Sequence, residues 1–216
     1  MNNKGNIQDS GSTDLRGRIV AAARERFQQF GYAKTSMQEI ASACDMSAAN
    51  LYRFYDGKLA IGAAVATAEQ SVLLAACDQA IAAAGPDVAD RLVALFQANI
   101  DATQRKIKRS PLLFELALTV AREKPEVRRQ FLRAVEARII AVMAEGQEPG
   151  AFASAAVKLR SRMILMASAP FVLPWMMLNE PFGNPRAMVE PLIRSLVAGL
   201  AEAPPSANVT TPARFS

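Results

Sequence analysis

Apolar residues recur along this chain every three or four positions and never in sustained alternation, a pattern that predicts helices and no sheet. The first stripe, Ile19, Ala22, Ala23, Phe27 and Phe30, predicts a helix over about 14–30 with Gly31 as its left-handed stop. A shorter stripe follows at Met37, Ile40, Ala41 and Cys44, opened by Ser36 and Glu39 at capping-box spacing. Asp45-Met46 then makes a tight turn, and Ser47 caps a third helix running to about Tyr55. A long fourth helix starts near Lys58 and reaches about Ala84.

Proline in a first turn announces most of the remaining helices. Ser110-Pro111 opens LLFELALTVA, Lys124-Pro125 opens a charged helix to about Glu145, and Asn184-Pro185 opens a last one over about 185–202. Ahead of them, Leu92, Leu95, Phe96 and Ile100 mark an amphipathic helix between Pro86 and Arg109. The most apolar helix is expected over about 152–178, bent near Pro170 and Pro174. The expected fold is therefore all-α, with about nine helices. A three-helix head (14–62) is joined by the long fourth helix to a helical body (63–203), and polar tails at 1–13 and 204–216 have little to bury.

Composition narrows the chemistry. With 216 residues, 51% hydrophobic and 21% charged, the chain can bury a substantial core. It contains no histidine, which removes Ser-His-Asp and Cys-His catalysis and histidine-bound zinc. There is no phosphate-cradling glycine loop and no metal-spaced carboxylate set, so no enzyme, cofactor or metal is expected. Cys44 and Cys77 lack metal-ligand spacing and read as core residues in a reducing cytoplasm. The polar N-terminus carries no signal-peptide core. The stretch Met163–Leu178 is shorter than the roughly 20 residues a spanning helix needs, so it reads as a buried helix rather than a membrane segment. A net charge of +5 permits a polyanionic partner without establishing one. The runs Arg105–Arg109 and Arg128, Arg129, Arg133 and Arg138 read as solvated faces.

The densest chemistry lies in CDMSAANLYRFYDGK, residues 44–58. On a helical wheel Leu51 and Tyr55 fall together with Phe54 beside them, and all three can pack inward with Met46. Ala49, Tyr52 and Arg53 lie opposite, with Ala48 at the border. Alanines admit a close backbone approach and can touch a thymine methyl, while a Tyr hydroxyl and an Arg guanidinium can bond phosphate oxygens. By itself this two-helix pattern fits a helix-turn-helix and an ordinary helical hairpin equally well.

The wider context resembles the N-terminal domain of the TetR family of bacterial transcriptional regulators. The landmarks run in order over Arg18–Ile61: Phe27 and Gly31-Tyr32, Thr35-Ser36, Ile40-Ala41, Ser47, Leu51-Tyr52, Tyr55 and Lys58. Two positions depart from the family pattern, Asp45 where the turn usually has Gly and Ala48 where the recognition helix often starts with a polar residue.

The resemblance implies a ligand-responsive regulator, usually a repressor, that binds a palindromic DNA operator as a homodimer and is released by a small apolar or amphipathic molecule. An activator of the same family, or a helical small-molecule-binding protein without operator binding, is the alternative. It implies base-edge contacts from Ala48, Ala49, Asn50 and Tyr52. Phosphate contacts would come from Thr35, Ser36, Ser47, Tyr52, Arg53 and Lys58. The helices at about 152–178 and 185–202 would form the dimer, and the fourth helix would carry the ligand signal. In the body, Phe96, Phe114, Met143, Met163, Met166 and Trp175 are candidates to line an apolar pocket, although such residues more often fill a core or a dimer interface. Glu115 is either a polar anchor in that pocket or part of a solvent-facing stripe with Thr119 and Arg122.

Overall fold

A computed structural model of the chain describes residues 6–145, 151–177 and 183–202. All regular structure among them is helical. The head holds α1 (Asn6–Phe30), α2 (Met37–Ala43) and α3 (Ala48–Tyr52), and α4 (Lys58–Ala83) leaves it for the body. There follow α5 (Val88–Arg109), α6 (Pro111–Glu123), α7 (Pro125–Glu145), α8 (Ala151–Ala167), α9 (Ala169–Val172), α10 (Pro174–Met177) and α11 (Pro185–Glu202).

Three differences from the sequence pattern have local causes. The expected apolar helix over 152–178 is three helices among the described residues, because each proline starts a new one. Pro170 lies in the first turn of α9, and Leu173 is extended (φ −91°, ψ 116°), the conformation that a following proline imposes. The first helix begins at Asn6, so the polar segment up to residue 13 continues α1, whereas 1–5 and 204–216 lie outside the described residues. Helix α3 stops at Tyr52 rather than Tyr55. There the amides of Arg53 and Phe54 bond three residues back, to Asn50 and Leu51, and tighten the chain into a turn.

Two apolar clusters organise the chain. In one, Ile19, Phe27, Ile40, Leu51 and Ile61 of the head pack with Leu113, Leu116 and Val120 of α6. The other fills the body with Phe96, Ile100, Ile139, Ile164 and Ile193. Helix α6 thus closes the head's core although it lies far along the chain. Gly62 permits the close fit, since a Cβ there would stand 3.1 Å from Leu116 Cδ1 and 3.3 Å from a Tyr32 ring carbon. By length and composition α4 is the helix among those described that could span a membrane, in place of the stretch singled out in the sequence. It packs against α1, α5, α6 and α7, and its Glu69 and Asp78 are both ion-paired.

Candidate nucleic-acid interface

The turn between α2 and α3 is built entirely from local chemistry. Ser36 caps α2 through a complete capping box: its hydroxyl accepts from the Glu39 amide at 3.2 Å, and the Glu39 carboxylate accepts from the Ser36 amide at 2.7 Å. These backbone and side-chain bonds from Ser36 hold the Glu39 carboxyl below its ordinary range. At the other end Asp45 takes φ 56°, the Met46 amide reaches back to Ala41 O at 2.9 Å, and the Asp45 amide bonds Ser42 O at 3.2 Å. That is a Schellman motif with aspartate in the left-handed position. Ser47 then caps α3, accepting from the Asn50 amide at 3.1 Å.

Helix α3 divides its residues as the wheel requires. Leu51 is fully buried, and Met46, Phe54 and Tyr55 pack against the head core. Ala49 and Arg53 are exposed, Asn50 is half-buried, and Tyr52 is 52% exposed although it is a large aromatic. Ala48, at the border of the wheel, is half-buried, with part of its side chain against the head core.

Two expected phosphate contacts are redirected. Thr35 is 2% exposed, and its hydroxyl donates to Gly31 O at 2.8 Å, so its only proton is spent inside the head. Lys58 donates to Tyr32 O and Thr35 O at 2.8 Å each and to Ala33 O at 3.3 Å. Its three donor positions are occupied by the loop that follows α1. Ser36 and Ser47 remain exposed, each engaged in its own cap.

One positioning residue escaped the sequence reading. Arg16 on α1 donates to Phe54 O at 2.9 Å and lies over the rings of Phe54 (5.8 Å) and Tyr55 (5.4 Å). It clamps the end of α3 onto α1. The only sequence signal was an arginine one turn before Val20, indistinguishable from any solvated cation.

Residues 19–65 match the family model described as bacterial regulatory proteins, tetR family, and residues 88–187 match the one described as tetracyclin repressor-like, C-terminal domain. The chain belongs to the TetR family. Solved structures agree in fold. A Pseudomonas aeruginosa PAO1 protein described as a transcriptional regulator is 18% identical with a TM-score of 0.56, covering 86% of this chain and 89% of that one. The TetR family repressor AlkX from Dietzia sp. is 16% identical with a TM-score of 0.53, over 86% of this chain and 95% of its own. A tetR-family regulator from Streptomyces coelicolor is 18% identical with a TM-score of 0.51, over 85% and 81%. No curated protein matches the chain. A DNA-binding transcriptional regulator is the function that this family and fold support.

The TetR-type body contains a half-open trough of about 350 Å³ between α4, α5, α6, α7 and the α9–α10 bend. Of the expected pocket residues whose side chains are described, only Phe114 lines it. Phe96 and Met143 are buried in the body core, and Glu115 is exposed. Met163 and Met166 are exposed on α8, away from the trough lining, and the side chain of Trp175 lies outside the described residues. Large side chains fill space, whereas the trough exists because Ala66, Ala76, Ala102, Ala117 and Ala121 leave it open. The basic runs also prove less idle than expected. Arg105, Lys106 and Arg109 edge the trough, and Arg138 grips Asp78 with two bonds of 2.7 Å. No group of three or more His, Cys, Asp or Glu suited to a metal occurs among the described residues.

Proposed function

We propose that the chain is a repressor that binds a palindromic operator as a homodimer and is released when a small molecule enters the body. The observation that carries the DNA half is the outward set on α3. Ala49, Tyr52 and Arg53 project from a short helix whose entry, exit and buried Leu51 anchor are all fixed. A small residue for close approach, an aromatic hydroxyl and a guanidinium suit a major groove and its flanking phosphates. With Thr35 buried and Lys58 engaged inside the head, the contacts reduce to Ser36, Ser47, Ala48, Ala49, Asn50, Tyr52 and Arg53.

Helix α6 supports the ligand half. Leu113, Leu116 and Val120 enter the head core, while Phe114, Ala117 and Ala121 on the next stripe line the trough. A ligand that displaces α6 therefore acts on the head directly, and by linkage DNA must weaken the ligand by the same factor. This moves the lever from α4 alone to α4 and α6 together. For the dimer, the support is an apolar face on the last helices: Met163 and Met166 on α8 and Met188 on α11 are exposed.

The test is to select binding sites from random duplex DNA with the purified chain at fixed salt, then to footprint the best site. Two protected half-sites related by a two-fold axis are expected. Binding without sequence preference, or protection of a single unrepeated site, would overturn the proposal.

A further inference from the structure

We infer that the trough takes an amphipathic organic anion, an acyl chain or similar apolar body ending in a carboxylate or phosphate; this rests on the reading of the trough as the regulatory ligand site. Positive charge is left over at the edge of the trough once the internal ion pairs are matched. The floor is apolar, with Leu73, Phe114, Phe131, Val172 and Leu173. The acidic group on the lining is Glu69, and both of its oxygens are taken: Oε1 by Arg24 at 2.6 Å and Oε2 by Lys106 at 2.8 Å. The single negative charge of Glu69 is thus already matched by two cations, which leaves no net negative charge there to attract a cationic ligand. Arg105 and Arg109, one turn apart on α5, also edge the trough, and neither forms an ion pair among the described residues.

Two exposed guanidiniums beside an apolar floor, with the local carboxylate already neutralised, favour an anionic headgroup over a neutral or cationic one. The first turn of α6 begins at the same edge, at Ser110, whose side chain does not cap it. The C-terminus of α5 ends at the same residue, so the two helix ends offset one another and the positive field at this edge comes from the arginines. The Arg24–Glu69–Lys106 chain also ties this edge to the head, because Arg24 lies on α1. An anion that draws Lys106 away from Glu69 loosens a link between body and head.

The full chain, without DNA, is titrated by calorimetry with decanoate, decanol and decyltrimethylammonium below their micelle concentrations. Decanoate is expected to bind at least about tenfold tighter than decanol, and the cation weakest. Arg105→Ala with Arg109→Ala should weaken decanoate about tenfold or more and leave decanol unchanged. Both arginines are exposed, so the melting temperature should hold.

Equal or tighter binding of the cation, binding of none of the three, or an unchanged decanoate affinity in the double variant would each sink the inference. So would a double variant that alters the oligomeric state instead, because the trough would then be a seam between copies. Operator binding is measured separately without ligand. A chain that binds DNA but not decanoate refutes this inference alone, whereas a chain that binds decanoate but no operator refutes only the regulator reading.

Discussion

The ammonium of Lys58 stands 4.5 Å from the ring centre of Tyr32 and donates to the carbonyl oxygen of that same residue at 2.8 Å. Tyr32 in turn packs its ring 5.5 Å from that of Phe27. The first residue of α4 is therefore a strut that fastens the loop after α1, and the head's shape depends on it. A lysine at a helix start in a DNA-binding head reads naturally as a phosphate clamp. Here the bonds that would grip a phosphate are satisfied within the protein.

Lys58→Ala should accordingly destabilise the head by about 2 kcal/mol, the scale for losing charge-assisted bonds and leaving carbonyls without a donor. Thermal unfolding reads this directly. Operator affinity should fall with the loss of structure, while the slope of log affinity against log salt stays that of wild type. A slope shallower by about one counterion would restore Lys58 to the phosphate-contacting set.

Asp45 holds the left-handed turn with φ 56°, a conformation that costs a non-glycine residue energy and glycine none. Asp45→Gly should raise stability by about 0.5–1 kcal/mol, since the Schellman bonds from Met46 and Asp45 are backbone bonds that survive the change. A melting temperature lowered by the substitution would mean that the aspartate side chain makes a contribution the turn geometry does not reveal.

The reading face gives a sharper pair. Ala49 is exposed and outside both core clusters, so Ala49→Glu should leave the melting temperature within about 0.5 kcal/mol equivalent. It should nevertheless abolish operator binding, by placing a buried anion against the groove. Arg53→Ala should weaken specific and random DNA alike, the mark of a phosphate contact. Filter binding or anisotropy at two salt concentrations separates these outcomes.

What the sequence disclosed, and what it withheld, follows the range of the forces involved. Caps and turns are local. Ser36 with Glu39, the Asp45 turn, Ser47 and the prolines at 111, 125 and 185 each fix a boundary within a few residues, and those boundaries were legible. Periodicity showed that Leu51 points in and Tyr52 out, but it cannot say what covers a side chain. The destinations of Lys58 and Arg16 are set by partners 23 and 38 residues away, so their roles appear only in the fold; Thr35 bonds Gly31 close by, but its burial is set by the packing of the head. The trough is hidden from the sequence for a related reason: large side chains fill space, and its signal is a set of alanines facing one another across α4, α5 and α6.

Burial pushes the Cys77 thiol up to about 11, and Cys44 is also buried and raised by burial. The thiolate is the reactive form, so neither cysteine should react with a maleimide at pH 8 while the chain is folded. Both should react once it is unfolded in denaturant. Rapid native labelling at Cys77 would show that α4 and α5 open far more readily than their packing implies.

Glu69 yields the pH dependence. Burial acts to raise its carboxyl, but hydrogen bonds from Lys106 and Arg24 outweigh burial and hold it below its ordinary value of 4.5. A carboxyl lowered in the folded state stabilises the fold above that ordinary value, and the contribution is lost as pH falls through the lowered one. Glu69→Gln should therefore cost about 2 kcal/mol at neutral pH, because it leaves Lys106 and Arg24 without their shared anion. Below pH 4.5 the two proteins should converge, the wild type losing melting temperature faster than the variant. Parallel pH profiles would mean that the pairs at Glu69 carry no net stability. The link between α1, α4 and α5 would then rest on apolar packing alone.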